Sequence, residues 1–164
     1  MNSAGFTHER NQKDHWITPR HILSVLGEFD LDPCACELGQ PWSTAKEMYH
    51  LPSQDGLLLP WHGRVWLNPP YGRETHKWIE RICLHRRGTL LIFARTETKT
   101  FQRIWRFADA ILFIAKRVQF YRPDGTRGGS SSAPSCLVAF GRMDAESLRD
   151  SGIGGALVHT WTVL

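Results

Sequence analysis

Eight consecutive residues, Val65-Trp66-Leu67-Asn68-Pro69-Pro70-Tyr71-Gly72, carry the clearest chemical pattern in the chain. An apolar run of strand-forming residues stops at an amide, two prolines and an aromatic ring, so it reads as a buried strand delivering fixed groups to its carboxyl end. Asn68 brings a side-chain carbonyl acceptor. Pro69 has no N–H and a fixed φ, so it can aim its backbone carbonyl at the same point, and Pro70 keeps the segment extended and stiff. Tyr71 offers a face on which a planar ring can stack. These groups suit attack by a conjugated amino group. The lone pair of an exocyclic amine on a nucleobase is delocalised into its ring, and acceptors that polarise the two N–H bonds make it a useful nucleophile.

The elements that must hold this segment can be read on either side of it. Trp16-Ile17-Thr18-Pro19 leads into a helix carrying Ile22, Leu23, Val25 and Leu26, with Thr18 suited to the N-cap and Pro19 to the first helical position. Residues 29–32 predict the first core strand, which ends at Asp32-Pro33-Cys34-Ala35 and places an acid where open α/β sheets bind ligands. Residues 37–43 are loop-like, and a short second strand is expected around Met48 and Tyr49. Asp55-Gly56-Leu57 contains a common turn dipeptide. A helix over 74–87 presents Trp78, Ile79, Ile82 and Cys83 at helical spacing, and Gly88 is expected to stop it.

Residues 89–94 then form a continuous apolar run of the kind buried on both faces, leaving into Arg95-Thr96-Glu97-Thr98. Arg95 and Thr96 can hold a phosphate or a nucleotide there, or Thr96 or Thr98 can cap the helix expected over 100–107. Residues 110–115 give another buried strand. The alternating stretch 116–121 is expected to pair with 135–140 as a hairpin. Between them lies a Gly-, Ser-, Arg- and Pro-rich loop that is either a substrate-facing flap or a plain hairpin tip. A short helix over 143–152 and a strand or tail over 156–164 close the chain. The expected architecture is α/β and three-layered, a mostly parallel sheet with a C-terminal antiparallel hairpin. Residues 15–164 make one domain, preceded by a polar, flexible N-terminal arm over 1–14.

Asn68-Pro69-Pro70-Tyr71 resembles the catalytic motif of amino-methyltransferases that depend on S-adenosylmethionine. With Trp16-Ile17-Thr18-Pro19, Leu31-Asp32-Pro33-Cys34-Ala35, Asp55-Gly56-Leu57 and Pro60-Trp61 in that order, the chain resembles the small phage-type, Dam-like DNA N6-adenine methyltransferases from about Trp16 to Phe140. The tetrad alone is also similar to that of protein glutamine-N5 methyltransferases. The resemblance implies a Rossmann-like methyltransferase domain, S-adenosylmethionine as methyl donor, no metal, and direct transfer to the amine of a flipped adenine. Asn68, Pro69, Pro70 and Tyr71 would be catalytic. Trp16, Thr18 and Pro19 would wrap the donor's methionine part, while Asp32, with Pro33, Cys34 and Ala35, would meet its amino-acid end. Asp55, Gly56 and Leu57 would lie beside its adenine. Among Glu47, Tyr49 and His50 no single ribose-binding residue stands out. The Gly-rich loop common at this position in other methyltransferases is replaced here by Pro-Cys-Ala-Cys-Glu.

Composition narrows the remaining classes. No run approaches the roughly 20 apolar residues of a membrane span and residues 1–14 lack an apolar centre, so a cytoplasmic protein is expected. Cys34, Cys36, Cys83 and Cys136 form no Cys-x-x-Cys pair, which argues for reduced thiols over a zinc site or a disulfide framework. A formal net charge of +4 favours a polyanionic partner. Lys116 and Arg117, with Arg95 and Thr96, are the candidate contacts to DNA. N4-cytosine or protein methylation, and a non-catalytic DNA-binding module of the same fold, are the alternatives.

Overall fold

The buried apolar runs of the sequence become the middle strands of one sheet. The computed structural model describes residues 16–36, 39–50 and 52–164; the arm expected over 1–14 lies outside them. In chain order the elements are α1 (Arg20–Leu26), β1 (Leu31–Ala35), β2 (Glu47–His50), β3 (Val65–Leu67), α2 (Thr75–His85), β4 (Gly88–Phe93) and α3 (Lys99–Phe107). They continue with β5 (Ala110–Ile114), β6 (Gln119–Tyr121), β7 (Arg127–Ser130), β8 (Ser135–Phe140), α4 (Arg142–Asp150) and β9 (Gly155–Val158).

The seven-stranded sheet runs β2-β1-β3-β4-β8-β5-β9. Its first four strands are parallel, β8 lies antiparallel between β4 and β5, and β9 lies antiparallel against β5. Side chains alternate between the two faces as the pleat requires. Val65, Leu67, Leu90 and Ile92 join Trp78, Ile79, Phe101 and Ile104 of α2 and α3 in one core. Trp66 and Leu91 face the other way, onto Ile22, Leu23 and Leu26 of α1 and Leu148 of α4. The result is the expected three-layer, mostly parallel α/β arrangement.

Strand pairing departs from expectation in one place. Residues 135–140 do not pair with 116–121; β8 occupies the middle of the sheet, while β6 pairs with β7 in a separate two-stranded sheet. The burial of all six β8 residues explains this, since a strand buried on both faces belongs inside a sheet. The loop between 121 and 135 therefore contains a strand of its own.

Helix boundaries also shift for local reasons. Residue Pro19, not Thr18, occupies the N-cap position of α1, and no side chain caps that helix. Gly88 does not stop α2. That helix ends at Arg86, which adopts the left-handed conformation with φ 57° and returns its N–H to the Ile82 carbonyl. Gly88 instead opens β4 at φ 143°, where a Cβ would lie 2.1 Å from the Val65 carbonyl oxygen.

At the end of the sheet opposite the strands' carboxyl ends, Arg64 ties the layers together. Its Nε donates to Asp144 at 2.8 Å and its Nη1 to the carbonyls of Leu26 and Glu28, while the Thr89 hydroxyl donates to the same Asp144 oxygen. The guanidinium also sits 4.2 Å from the Phe29 ring centroid. Each buried charge is thus matched by its partner rather than left alone.

Gly88→Ala should cost about 2 kcal/mol or more, because the β3–β4 backbones must separate to admit the methyl and the residue must leave a conformation that alanine avoids. Urea unfolding of the variant checks this; an unchanged midpoint would show that the strands yield freely there.

Candidate active site

The site lies where the chain reverses its direction across the sheet. From β1 the chain places β2 on one side and β3 on the other, so the carboxyl ends of β1 and β3 flank a crevice at the switch point. A cleft opens there. Trp16, Thr18, Asp32, Cys34, Ala35, Asn68, Pro69, Pro70 and Tyr71 all line it, together with Ile17, Cys36, Gln40, Thr44 and Trp66.

Asn68 is oriented by the strap that precedes α1. Its Nδ2 donates to the Trp16 carbonyl at 2.8 Å, and its Oδ1 is buried with no hydrogen-bond partner among the described residues. At the cleft wall the amide's acceptor, unlike its nitrogen, is thus left without a protein partner among the described residues. The Cys34 Sγ, 3.4 Å from the Asn68 main-chain oxygen, donates to it. Burial above all, and then the nearby Asp32 charge, holds that thiol well above its ordinary value, so it stays a protonated donor.

Asp32 is 4% exposed and held from both sides. The Cys34 amide donates to its Oδ1 at 3.0 Å and the Thr44 hydroxyl to its Oδ2. Gln40 extends this chain, donating from Nε2 to Thr44 Oγ1 at 3.2 Å and accepting at Oε1 from the Cys36 N–H. Two of the carboxylate's roughly four lone-pair positions remain for a ligand. Burial pushes the carboxyl up to about 6, against the pull of the Thr44 and Cys34 hydrogen bonds. Gln40 and Thr44 were not singled out in the sequence, where they sit in an unpatterned loop with no spacing signal.

Thr18 belongs to the cleft and not to a helix cap. Its Oγ1 is buried without a partner among the described residues, while its carbonyl accepts from Trp42 Nε1 at 3.0 Å. The capping expectation fails because residue 17 is pinned in an extended strap by a bridge to Tyr121, which turns the Thr18 side chain away from the α1 amides. Pro19 is buried but does not line the cleft.

A second cavity, of about 250 Å³, adjoins the first and shares Trp16 and Tyr71 with it. Phe93, Phe120 and residues 129–132 complete its lining. The Tyr71 ring stacks on Phe93 with centroids 4.3 Å apart and planes 15° apart, and burial raises its hydroxyl pKa. An aromatic wall of this kind suits a flat, weakly polar ring.

Other sequence candidates lie outside both cavities. Asp55 closes its own turn by accepting from the Leu57 N–H at 2.9 Å, and Gly56 packs so closely on the Pro33 carbonyl that a Cβ there would lie 1.8 Å from it. Residues 55–57 thus rest against the outer part of β1, with Pro33 buried beneath them. Arg95 and Thr96 are exposed just beyond β4, and Lys116 and Arg117 just beyond β5. Since β4 and β5 run in the same direction, all four stand at the cleft end of the sheet. Thr98, not Thr96, caps α3, accepting from the Phe101 N–H at 3.2 Å. No group of three or more acidic, His or Cys side chains suited to a metal ion occurs among the described residues, and no described helix is long and apolar enough to cross a membrane.

The raised Asp32 pKa gives a stability signature. A carboxyl that holds its proton more tightly in the native than in the unfolded chain costs stability as it ionises. That penalty is absent below the unfolded value of ~3.9 and complete above the native value. Asp32→Asn should therefore gain stability relative to the natural chain between about pH 4 and pH 7, on the order of 2 kcal/mol. Urea unfolding of both proteins across that range reads the difference; a flat difference would remove burial of Asp32 as its cause.

Residues 6–149 match the family model described as DNA N-6-adenine-methyltransferase (Dam). The DNA N-6-adenine-methyltransferase of Escherichia phage T1 is 30% identical over 112 residues, which cover 62% of this chain and 45% of that protein. The matched region thus spans less than half the length of that relative. No solved structure matches. A family match that takes in the strap, both cleft strands and everything between them leads to one conclusion: the chain belongs to the DNA N-6-adenine-methyltransferase (Dam) family.

Proposed function

We propose that this protein transfers a methyl group from S-adenosylmethionine to the N6 amino group of an adenine in DNA. The observation that carries the reading is the Asn68 amide, whose donor is committed to Trp16 and whose buried acceptor is left for an incoming amine. The family match supports adenine as the acceptor base.

The cleft residues fit such a methyl donor. Asp32 offers an anion with lone pairs to spare for an ammonium, and the Thr18 hydroxyl, without a partner among the described residues, offers a further polar contact in the same cleft. Trp16, Cys34 and Ala35 supply main-chain and apolar surface around them, whereas Pro19 and Pro33 are buried outside the cleft lining. In this reading the donor's adenine extends beyond the cleft to the turn of Asp55, Gly56 and Leu57, which is seated on Pro33. When bound, the donor supplies an electrophilic methyl on a sulfonium. The rest of the chemistry falls to the chain.

Asn68 Oδ1 accepts from the substrate amine, and the main-chain carbonyl of Pro69 is the second acceptor. Polarisation of the two N–H bonds concentrates the nitrogen lone pair towards the methyl, and fixed acceptors do this without reorganising during the reaction. Pro70 stiffens the segment, and Tyr71, backed by Phe93, forms the stacking wall of the second cavity. A base inside a duplex is paired and stacked, so the target adenine is extruded into that cavity. Arg95, Thr96, Lys116 and Arg117, exposed at the same end of the sheet, hold the flanking phosphates.

Transfer of labelled methyl from S-adenosylmethionine to unmethylated DNA, followed by nucleoside analysis, tests the proposal. N6-methyladenine is the expected product. N4-methylcytosine would keep the amine chemistry and change the base. Label in protein, or none anywhere despite donor binding, would overturn it in favour of a protein methyltransferase or a non-catalytic binding module of the same fold. Asn68→Ala should lower kcat by about 100-fold or more, the scale of losing one fixed polar group at a reacting centre, with donor affinity nearly kept. Loss of donor binding in the same variant would reassign Asn68 to the donor site.

A further inference from the structure

The two-stranded sheet of β6 and β7 stands apart from the seven-stranded sheet, yet it is tied to the residue that holds Asn68. Ile17 and Tyr121 exchange both backbone hydrogen bonds, at 2.9 and 3.0 Å. The Trp16 ring lies 6.5 Å from the Phe120 ring, centroid to centroid, and it covers Gly128 so closely that a Cβ there would lie 2.4 Å from Trp16 Cζ3. Trp42 closes the strap from the other side, donating to the Thr18 carbonyl and meeting Tyr121 edge-on at 5.1 Å. The Trp16 carbonyl at the centre of this clamp is the acceptor of the Asn68 amide. The same hairpin and the residues after it line the second cavity through 129–132, and its outer residues Arg122, Asp124, Thr126 and Arg127 face solvent.

We propose that the β6–β7 hairpin is a positioning element for Asn68, acting through the main-chain carbonyl of Trp16, with Gly128 as the residue that lets the hairpin seat on the Trp16 ring. Seating of the hairpin around an occupant of the second cavity and correct presentation of the Asn68 acceptor are then one event. The physical reason is the ambivalence of a primary amide. Released from Trp16, Asn68 can turn its –NH2 into the cleft, and a donor facing the substrate amine opposes the polarisation that its carbonyl provides. The proposal rests on the reading of Asn68 as the amine's acceptor, but the orientation of its amide can be measured without any reaction.

Asparagine occurs three times in the chain, at Asn2, Asn11 and Asn68. In full-length protein labelled with 15N in the asparagine side chains, the Asn68 amide pair is assigned by its loss in Asn68→Ala. In the natural chain this pair should be slow to exchange with solvent. In Gly128→Ala it should exchange at least about fivefold faster, and Trp16→Phe in the same background, which shrinks the ring and keeps the carbonyl, should restore the slow exchange. A folded Gly128→Ala with unchanged Asn68 exchange, or failure of Trp16→Phe to restore it, overturns the proposal.

If Gly128→Ala does not fold, Phe120→Leu, which loosens the same contact without adding an atom, decides by the same measurement. Methyl transfer supplies the second readout, with kcat expected to fall about fivefold to tenfold in Gly128→Ala, the scale of losing one orienting hydrogen bond. If the natural chain methylates no DNA, the reading of the reaction fails while the amide measurement still decides the coupling.

Discussion

One hydrogen bond, from the Asn68 side chain to the Trp16 carbonyl, fixes the chemical character of the cleft. A primary amide is donor and acceptor at once, and only its surroundings determine which end a ligand meets. Here β3 is wholly buried and inserted between two parallel neighbours, so the position of Asn68 is set by the core, and the strap before α1 then sets the amide's direction. Position and polarity come from different parts of the chain, some fifty residues apart in sequence. Much of the remaining architecture can be understood as holding those two parts in register.

The replacement of a glycine-rich turn after β1 by Pro33-Cys34-Ala35 has a structural counterpart. β1 is not the 29–32 strand expected but runs from Leu31 through Ala35, so the group it offers the cleft, from its second residue, is a carboxylate braced by Cys34 and Thr44 in place of a nest of backbone amides. Such an arrangement favours a cationic ligand group over an anionic one. Thr44 and Gln40 keep the carboxylate aligned although burial disfavours its charge.

The sequence made the strand ends legible because buried strands are continuous apolar runs that terminate abruptly, as at Leu67 and Phe93. The position of the tetrad could be read for the same reason, as polar groups directly after such a run, whereas Asp32 lies within β1 and not at its end. Only the capping role read for Thr18 fails, because a threonine before a proline looks like a helix cap, and its removal from that role depends on a backbone bridge to residue 121 that no local pattern encodes. The partner of residues 116–121 was misassigned because alternation says which face a strand buries and nothing about which distant strand it meets. Gln40 and Thr44 act through contacts with Asp32 that a loop sequence does not announce.

The central place of β8 has a consequence for how the chain reaches this state. β4 and β5 are both made before it, and each must wait, with an apolar edge unpaired, until residues 135–140 arrive to lie between them. All of the cleft-forming residues precede that point in synthesis, so the crevice can gather around β1 and β3 while the sheet remains divided. A chain stalled at the β6–β7 hairpin would hold its chemical groups nearly complete and yet expose two adhesive strand edges, the state in which aggregation competes most strongly with folding.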